Sequence, residues 1–193
     1  MKNLIRLRDG VAQFDAEDAW MLLREVPETL PEGQLILPLG SWLADAPCRS
    51  EGDAIVIARE QKFPEAPELG DGSRASSLLQ KSGVWLGPDD DPYQLEGLMD
   101  QLPLIAIDFP SFRDGRGYSL AYLLRSRLGW RGELRAVGDV LRDQLAHLRQ
   151  CGFDAFAVRE DKSVEDALKG LAGLSVLYGR SVIEPRPLFR RRS

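Results

Sequence analysis

Between Gly83 and Leu171 the apolar positions alternate between two patterns, short continuous runs and stripes spaced 3.6 residues apart. Gly83 to Gly87, Leu104 to Asp108, Glu133 to Val137 and Phe153 to Val158 read as strands. Leu120, Leu124 and Leu128 fall on one helical stripe, and Leu141, Leu145 and Leu148 on another. A third holds Val164, Ala167, Leu168 and Leu171, opened by Ser163 with Asp166 at capping-box spacing. The spacing therefore predicts helices from Pro92 to Gln101 (with Asp91 as cap), from Tyr118 to Leu128, from Asp139 to Gln150 and from Val164 onward.

Four βα units in succession predict an α/β fold with a parallel sheet. Two architectures fit, a partial (β/α) barrel and an open doubly wound sheet, and the brevity of the units favours the barrel-like one. Upstream, Asp9-Gly10 between two apolar runs predicts an N-terminal β-hairpin. A helix is expected from Ala16 to Val26, ended by Pro27, then strands at Gln34 to Leu39 and Ala54 to Ala58, with a helical turn starting at Gly40. Residues 60–73, rich in Pro, Glu, Gly and Asp, read as a mobile loop. The expected organisation is one α/β domain over 1–193: an N-terminal part, 1–59, the loop, and a βα core, 83–172.

Composition adds boundaries. Hydrophobic residues make up 44% and charged ones 28%, as in folded proteins. A net charge of -5 gives no general affinity for nucleic acid or an anionic membrane. Arg186, Arg190, Arg191 and Arg192 form a basic run that reads as a solvated tail. No apolar stretch approaches a membrane span, and the start breaks into charge too soon for a signal peptide. Cys48 and Cys151 match no paired-thiol spacing, so a reduced, cytoplasmic setting is expected. His147 is the only histidine, which argues against Ser–His or Cys–His catalysis. Two thiols cannot ligate an iron–sulfur cluster, and no flavin, nicotinamide or metal motif is visible, so the expected cofactor is none. Trp42 and Trp85 read as core, and Trp130 as packing over a helix end.

In parallel α/β folds the working site lies at the carboxyl ends of the strands. Asp108, Asp114, Asp139 and Arg159 are therefore expected on one rim, with Asp139 also a candidate helix cap. The loop Phe112-Arg113-Asp114-Gly115-Arg116-Gly117-Tyr118-Ser119 opens a helix with two guanidinium forks and two glycines. Arg113, Arg116, Gly115, Gly117 and Ser119 are the candidate anion clamp, since helical N–H groups and guanidinium forks both suit oxyanions. The alternative is a tight turn made by the glycines, with the arginines paired to Asp108 and Asp114. Asp108 is the candidate acid or base, or else the partner of Arg113 or Arg116.

Several strings carry a resemblance. Phe112 to Ser119, Leu123 to Arg127, Gly132 to Val140, Asp143 to Leu145 and Gly152 to Phe156 resemble a bacterial family of unassigned function. Its members are usually encoded beside assimilatory sulfite reductase and carry the label of a probable oxidoreductase in sulfite reduction. The resemblance implies a role in that pathway and supplies no catalytic residues. Lacking ligands for siroheme or an iron–sulfur cluster, the chain is expected to act as an accessory, a binding or assembly partner of sulfite reductase. The alternative is a small enzyme acting on an oxyanion or phosphorylated substrate at the Asp108/Arg113/Arg116 rim.

Overall fold

A computed structural model of the chain describes residues 1–27, 29–45, 82–171 and 179–191. The strand expected at Ala54 to Ala58, the loop at 60–73 and Cys48 lie outside these residues.

Eight strands form one sheet in the order β2-β1-β8-β7-β6-β5-β4-β3. They are β1 (Leu4–Arg8), β2 (Val11–Asp15), β3 (Trp20–Leu22), β4 (Gln34–Pro38), β5 (Gly83–Leu86), β6 (Leu104–Phe109), β7 (Glu133–Gly138) and β8 (Ala155–Ala157). Strands β3 to β8 are parallel and stand in chain order, whereas β1 is antiparallel to both β8 and β2. The order never reverses, so the sheet is mixed and barrel-like rather than doubly wound. The hairpin joining β1 to β2 turns at Asp9 and Gly10, both at positive φ, as a two-residue turn requires.

Chain connectivity forces the sheet to curl. Residues 16–19 alone link the end of β2, at one edge of the sheet, to the start of β3 at the other. That link spans at most about 17 Å, whereas eight strands laid flat would set their edges roughly 34 Å apart. The result is a half-barrel with a concave face.

The helices are α1 (Leu39–Asp45), α2 (Arg116–Ser126), α3 (Leu145–Gln150) and α4 (Val164–Gly170). Strand alternation divides the core accordingly. Ile105, Ile107 and Phe109 of β6 join Leu120, Leu124, Leu145, Leu148 and Val164 from the helices on the convex side. Leu104 and Ala106 point the other way, with Ile36, Val137 and the partly buried Trp20, Leu22 and Trp85. All six β6 residues are buried, which explains its unbroken apolar run.

The concave face also holds charge. Arg135 of β7, fully buried, donates to Asp18 (3.0 and 2.9 Å) and to Glu133 (2.9 and 2.7 Å). Arg6 pairs with Asp15 and reaches Asp18, while its Nε lies 3.1 Å from Glu133 but off-line for a hydrogen bond. Burial alone would raise the Asp18 carboxyl. Hydrogen bonds from Arg135 and the Met1 ammonium hold it below its usual range instead.

Three expected helices are corrected. From Ala16 to Val26 there is no helix but a turn and then β3, because Asp18 and Arg24 must each reach the sheet from opposite ends of the segment. Six residues extended cover about 20 Å, and coiled only about 9 Å. Pro92 to Gln101 forms two 3-10 turns, Pro92–Leu95 and Met99–Gln101, interrupted at Gly97 with φ 73°. Asp91 does cap the first, accepting from the Tyr93 N–H. The helix expected from Asp139 begins late, as a 3-10 turn Arg142–Gln144 leading into α3, because Asp139 is engaged elsewhere. Ser163 caps α4 as expected, accepting from the Asp166 N–H.

Candidate functional site

At the carboxyl ends of the strands lies an open cleft of about 550 Å³ lined by Arg24, Asp108, Phe109, Pro110, Gly138, Asp139 and Arg159. Each charged residue reaches it from a different strand end. Arg24 follows β3, Asp108 is the penultimate residue of β6, Asp139 follows β7 and Arg159 follows β8.

Asp108 has the parity of Leu104 and Ala106 and so projects from the concave face. There it meets the Arg24 fork head-on. Arg24 Nη1 donates to Oδ2 at 2.8 Å and Nη2 to Oδ1 at 2.7 Å, the bidentate geometry that favours guanidinium–carboxylate pairs. Arg24 also stands 5.8 Å over the Trp85 ring, whose indole N–H donates to the Leu23 carbonyl at 2.8 Å. The Asp108 hydrogen bonds push the Arg24 guanidinium above its ordinary range, so it is a fixed cation.

Asp139 is no helix cap. One oxygen accepts the Phe112 N–H and the other accepts from Arg159, both at 2.9 Å. These two bonds, the backbone one first, hold its carboxyl below the usual range. Arg159 also donates to both oxygens of Asp161 (2.9 and 2.8 Å), pushing that carboxyl down to about 2. The loop carrying Arg159 is fastened by Asn3, whose side-chain N–H donates to the Arg159 and Lys162 carbonyls.

Gly138 closes the floor. Its φ of 94° lies in the left-handed region, and a Cβ there would meet the Phe109 carbonyl oxygen and come within 2.6 Å of Asp108 Oδ1. Only glycine fits between the two carboxylate-bearing strand ends.

The exposure of the four charges decides what a ligand would meet. The Asp108 side chain is 7% exposed and Asp139 22%, against 53% for Arg24 and 41% for Arg159. Carboxylates lie beneath and guanidinium groups face outward. A guanidinium has five N–H donors. Among the described residues, Arg24 uses two of them on Asp108, and Arg159 uses three on Asp139 and Asp161. Among the described residues the remaining donors of both side chains have no partner.

Of the four residues expected on one rim, the structure brings Asp108, Asp139 and Arg159 to the cleft and leaves Asp114 off it, paired with Arg116. Arg113, Gly115, Arg116, Gly117 and Ser119 do not line the cleft. Arg116 pairs with Asp114 and with Asp89 on the exposed surface, and Arg113 lies 5.5 Å over the Phe112 ring. Gly117 lets α2 approach the sheet, since a Cβ there would strike the Phe109 ring. Gly115 caps α2 and has open space around it, and Ser119 is exposed. Asp108 pairs with neither Arg113 nor Arg116 but with Arg24, 84 residues earlier. The signal for Arg24 was the same one that marked Asp108, a charge ending the apolar run from Trp20 to Leu23.

Elsewhere, His147 is exposed beside Cys151 (3.9 Å) and the Tyr118 ring. Among the described residues no group of three or more His, Cys, Asp or Glu stands close enough to hold a metal ion. Nor, among them, is any helix long and apolar enough to cross a membrane.

Comparison with known proteins places most of the cleft within a family. The model of a family described as "Bacterial protein of unknown function (DUF934)" matches residues 83–189, more than half of the chain. That span includes Asp108, Gly138, Asp139 and Arg159 and leaves Arg24 outside. No curated protein and no solved structure matches.

Proposed function

This chain belongs to the DUF934 family of bacterial proteins of unknown function, and from that premise we propose that it is an accessory protein of assimilatory sulfite reduction that holds a small oxyanion at its rim. One observation carries the reading: Arg24 and Arg159 converge on one cleft with N–H donors facing outward, and each is anchored from beneath by a carboxylate. Such anchoring preorganises a guanidinium, so little side-chain entropy is lost when an anion arrives. Arg24 keeps its place on binding, because its departure would leave the nearly buried Asp108 carboxylate unpaired.

The same pairing argues against the enzymatic alternative. Both oxygens of Asp108 accept from Arg24, so the carboxylate is poorly placed to take a proton from a substrate. The pathway assignment rests on the resemblance of the Phe112–Ser119 and Gly132–Val140 strings, and it makes sulfite the first ligand to test. Titration calorimetry of the protein with sulfite, sulfate and inorganic phosphate is expected to give saturable one-site binding to at least one of them. A pull-down from cells growing on sulfate tests the partnership. Recovery of sulfite reductase with a colourless bait supports it, and a bait that carries a chromophore contradicts the cofactor-free reading.

A further inference from the structure

We infer that Asp18 is a positioning residue for Arg24, and that the anion site is complete only when the strap between them is fastened across the concave face. The inference rests on the anion-binding reading of the cleft and adds how half of that site is put in place.

The segment from Asp18 to Arg24 is tied to the sheet at both ends by ion pairs, and their polarity is opposite at the two ends. At one end the strap supplies the carboxylate and the sheet the guanidinium, Asp18 to Arg135 at 2.9 and 3.0 Å. At the other the roles reverse, with Arg24 on the strap and Asp108 on the sheet. Between them the Trp85 indole N–H holds the Leu23 carbonyl. Reversed polarity sets direction as well as register, because a slip by one residue would turn each charge to the opposite face.

Ordinary sheet pairing adds little. β3 pairs over three residues, all with β4, with one further bond from the Leu23 N–H to the Ile36 carbonyl at 3.0 Å, and its other side is the edge of the sheet. Trp20 and Leu22 are half-buried and Met21 is exposed. The strap is therefore placed mainly by its polar ties, and Arg24 is placed by the strap. Arg159 is delivered independently, on the loop after β8 that Asn3 holds.

This arrangement has a signature in a double-mutant cycle, read as oxyanion affinity by calorimetry with sulfite and inorganic phosphate. Asp18→Asn preserves shape and leaves Arg135 paired with Glu133 and Arg6 with Asp15, while the Met1 ammonium keeps the Asp18 and Trp20 carbonyls as acceptors. In the wild-type background it is expected to raise Kd about tenfold or more, the loss of one charged hydrogen bond to the ligand. In an Arg24→Gln background the same substitution is expected to change Kd less than about twofold, since Arg24 no longer contributes. Asn3→Ala supplies the contrast: its effect persists in the Arg24→Gln background and vanishes in Arg159→Gln.

If Asp18→Asn weakens binding by the same factor with and without Arg24, Asp18 is only a structural residue and the inference is overturned. If Asp18→Asn does not fold, Arg135→Lys loosens the same tie from the sheet side while keeping the charge, and the same cycle decides. A wild-type protein that binds neither anion removes the site itself, an outcome read directly from the first titration and separate from failure of the cycle.

Discussion

Gly138→Ala concentrates the account of the rim into one methyl group. At φ 94° an L-residue bears a conformational penalty of about 1–2 kcal/mol. The new Cβ would also come within 2.6 Å of Asp108 Oδ1 and strike the Phe109 carbonyl, both on the neighbouring, wholly buried strand β6. Overpacking against such a wall adds about 1–3 kcal/mol, for a total of roughly 2–5 kcal/mol. In a chain of this size that lowers Tm by roughly 5–15 °C. Gly129→Ala is the matched control, with φ 73° and nothing within 4 Å of its Cβ, so it bears the conformational penalty alone. Thermal unfolding followed by circular dichroism is expected to show the larger drop for Gly138→Ala. Because the methyl displaces the carboxylate that anchors Arg24, sulfite affinity should fall by about tenfold or more as well. Equal Tm losses in the two variants, or an unchanged affinity, would refute the crowding argument.

Other expectations separate structure from site. Arg125 is nearly buried and donates to the Gly152, Trp130 and Gly132 carbonyls and to Asp154, so Arg125→Ala should cost about 3–5 kcal/mol in denaturant unfolding. Its anion affinity, measured on the folded fraction, should stay at the wild-type value, and a selective loss would extend the site to Arg125. Arg113→Ala combined with Arg116→Ala removes exposed contacts only, so Tm and sulfite affinity should both hold within error. A lost affinity there would move the ligand to the loop before α2. Asp161 should titrate near 2 by carboxyl carbon NMR, below its unfolded value of 3.8. Its pair with Arg159 is then intact above about pH 4 and is lost as pH falls toward 2, the sign expected of a depressed carboxylate. A midpoint near 4 would show that Arg159 does not hold Asp161 in solution.

What was legible from the residues followed from local periodicity. The apolar runs that became β5 to β8 and the stripes of α2 and α4 carry their own period, and Asp9-Gly10 its own turn chemistry. The rim position of Asp108, Asp139 and Arg159 then followed from a rule about strand ends rather than from any motif. The largest miss has a nonlocal cause. From Ala16 to Val26 the spacing suits a helix, yet the segment is stretched into a strap by charges fixed on strands far away in sequence, Arg135 and Asp108. No local window contains those partners. Arg113 and Arg116 looked like a clamp because they flank a helix start, but Asp114 and Asp89 engage Arg116 on the surface. Arg135 was hidden inside an apolar strand. That a fully buried guanidinium could stand there depends on Asp18, which only the curl of the sheet brings to it.

The most direct test of the central claim is calorimetric titration of sulfite into the wild-type protein and into a variant carrying both Arg24→Gln and Arg159→Gln. The account predicts saturable one-site binding by the wild type and none by the variant, with its circular dichroism spectrum unchanged. Equal binding by both proteins would place the anion elsewhere and contradict the reading of the cleft.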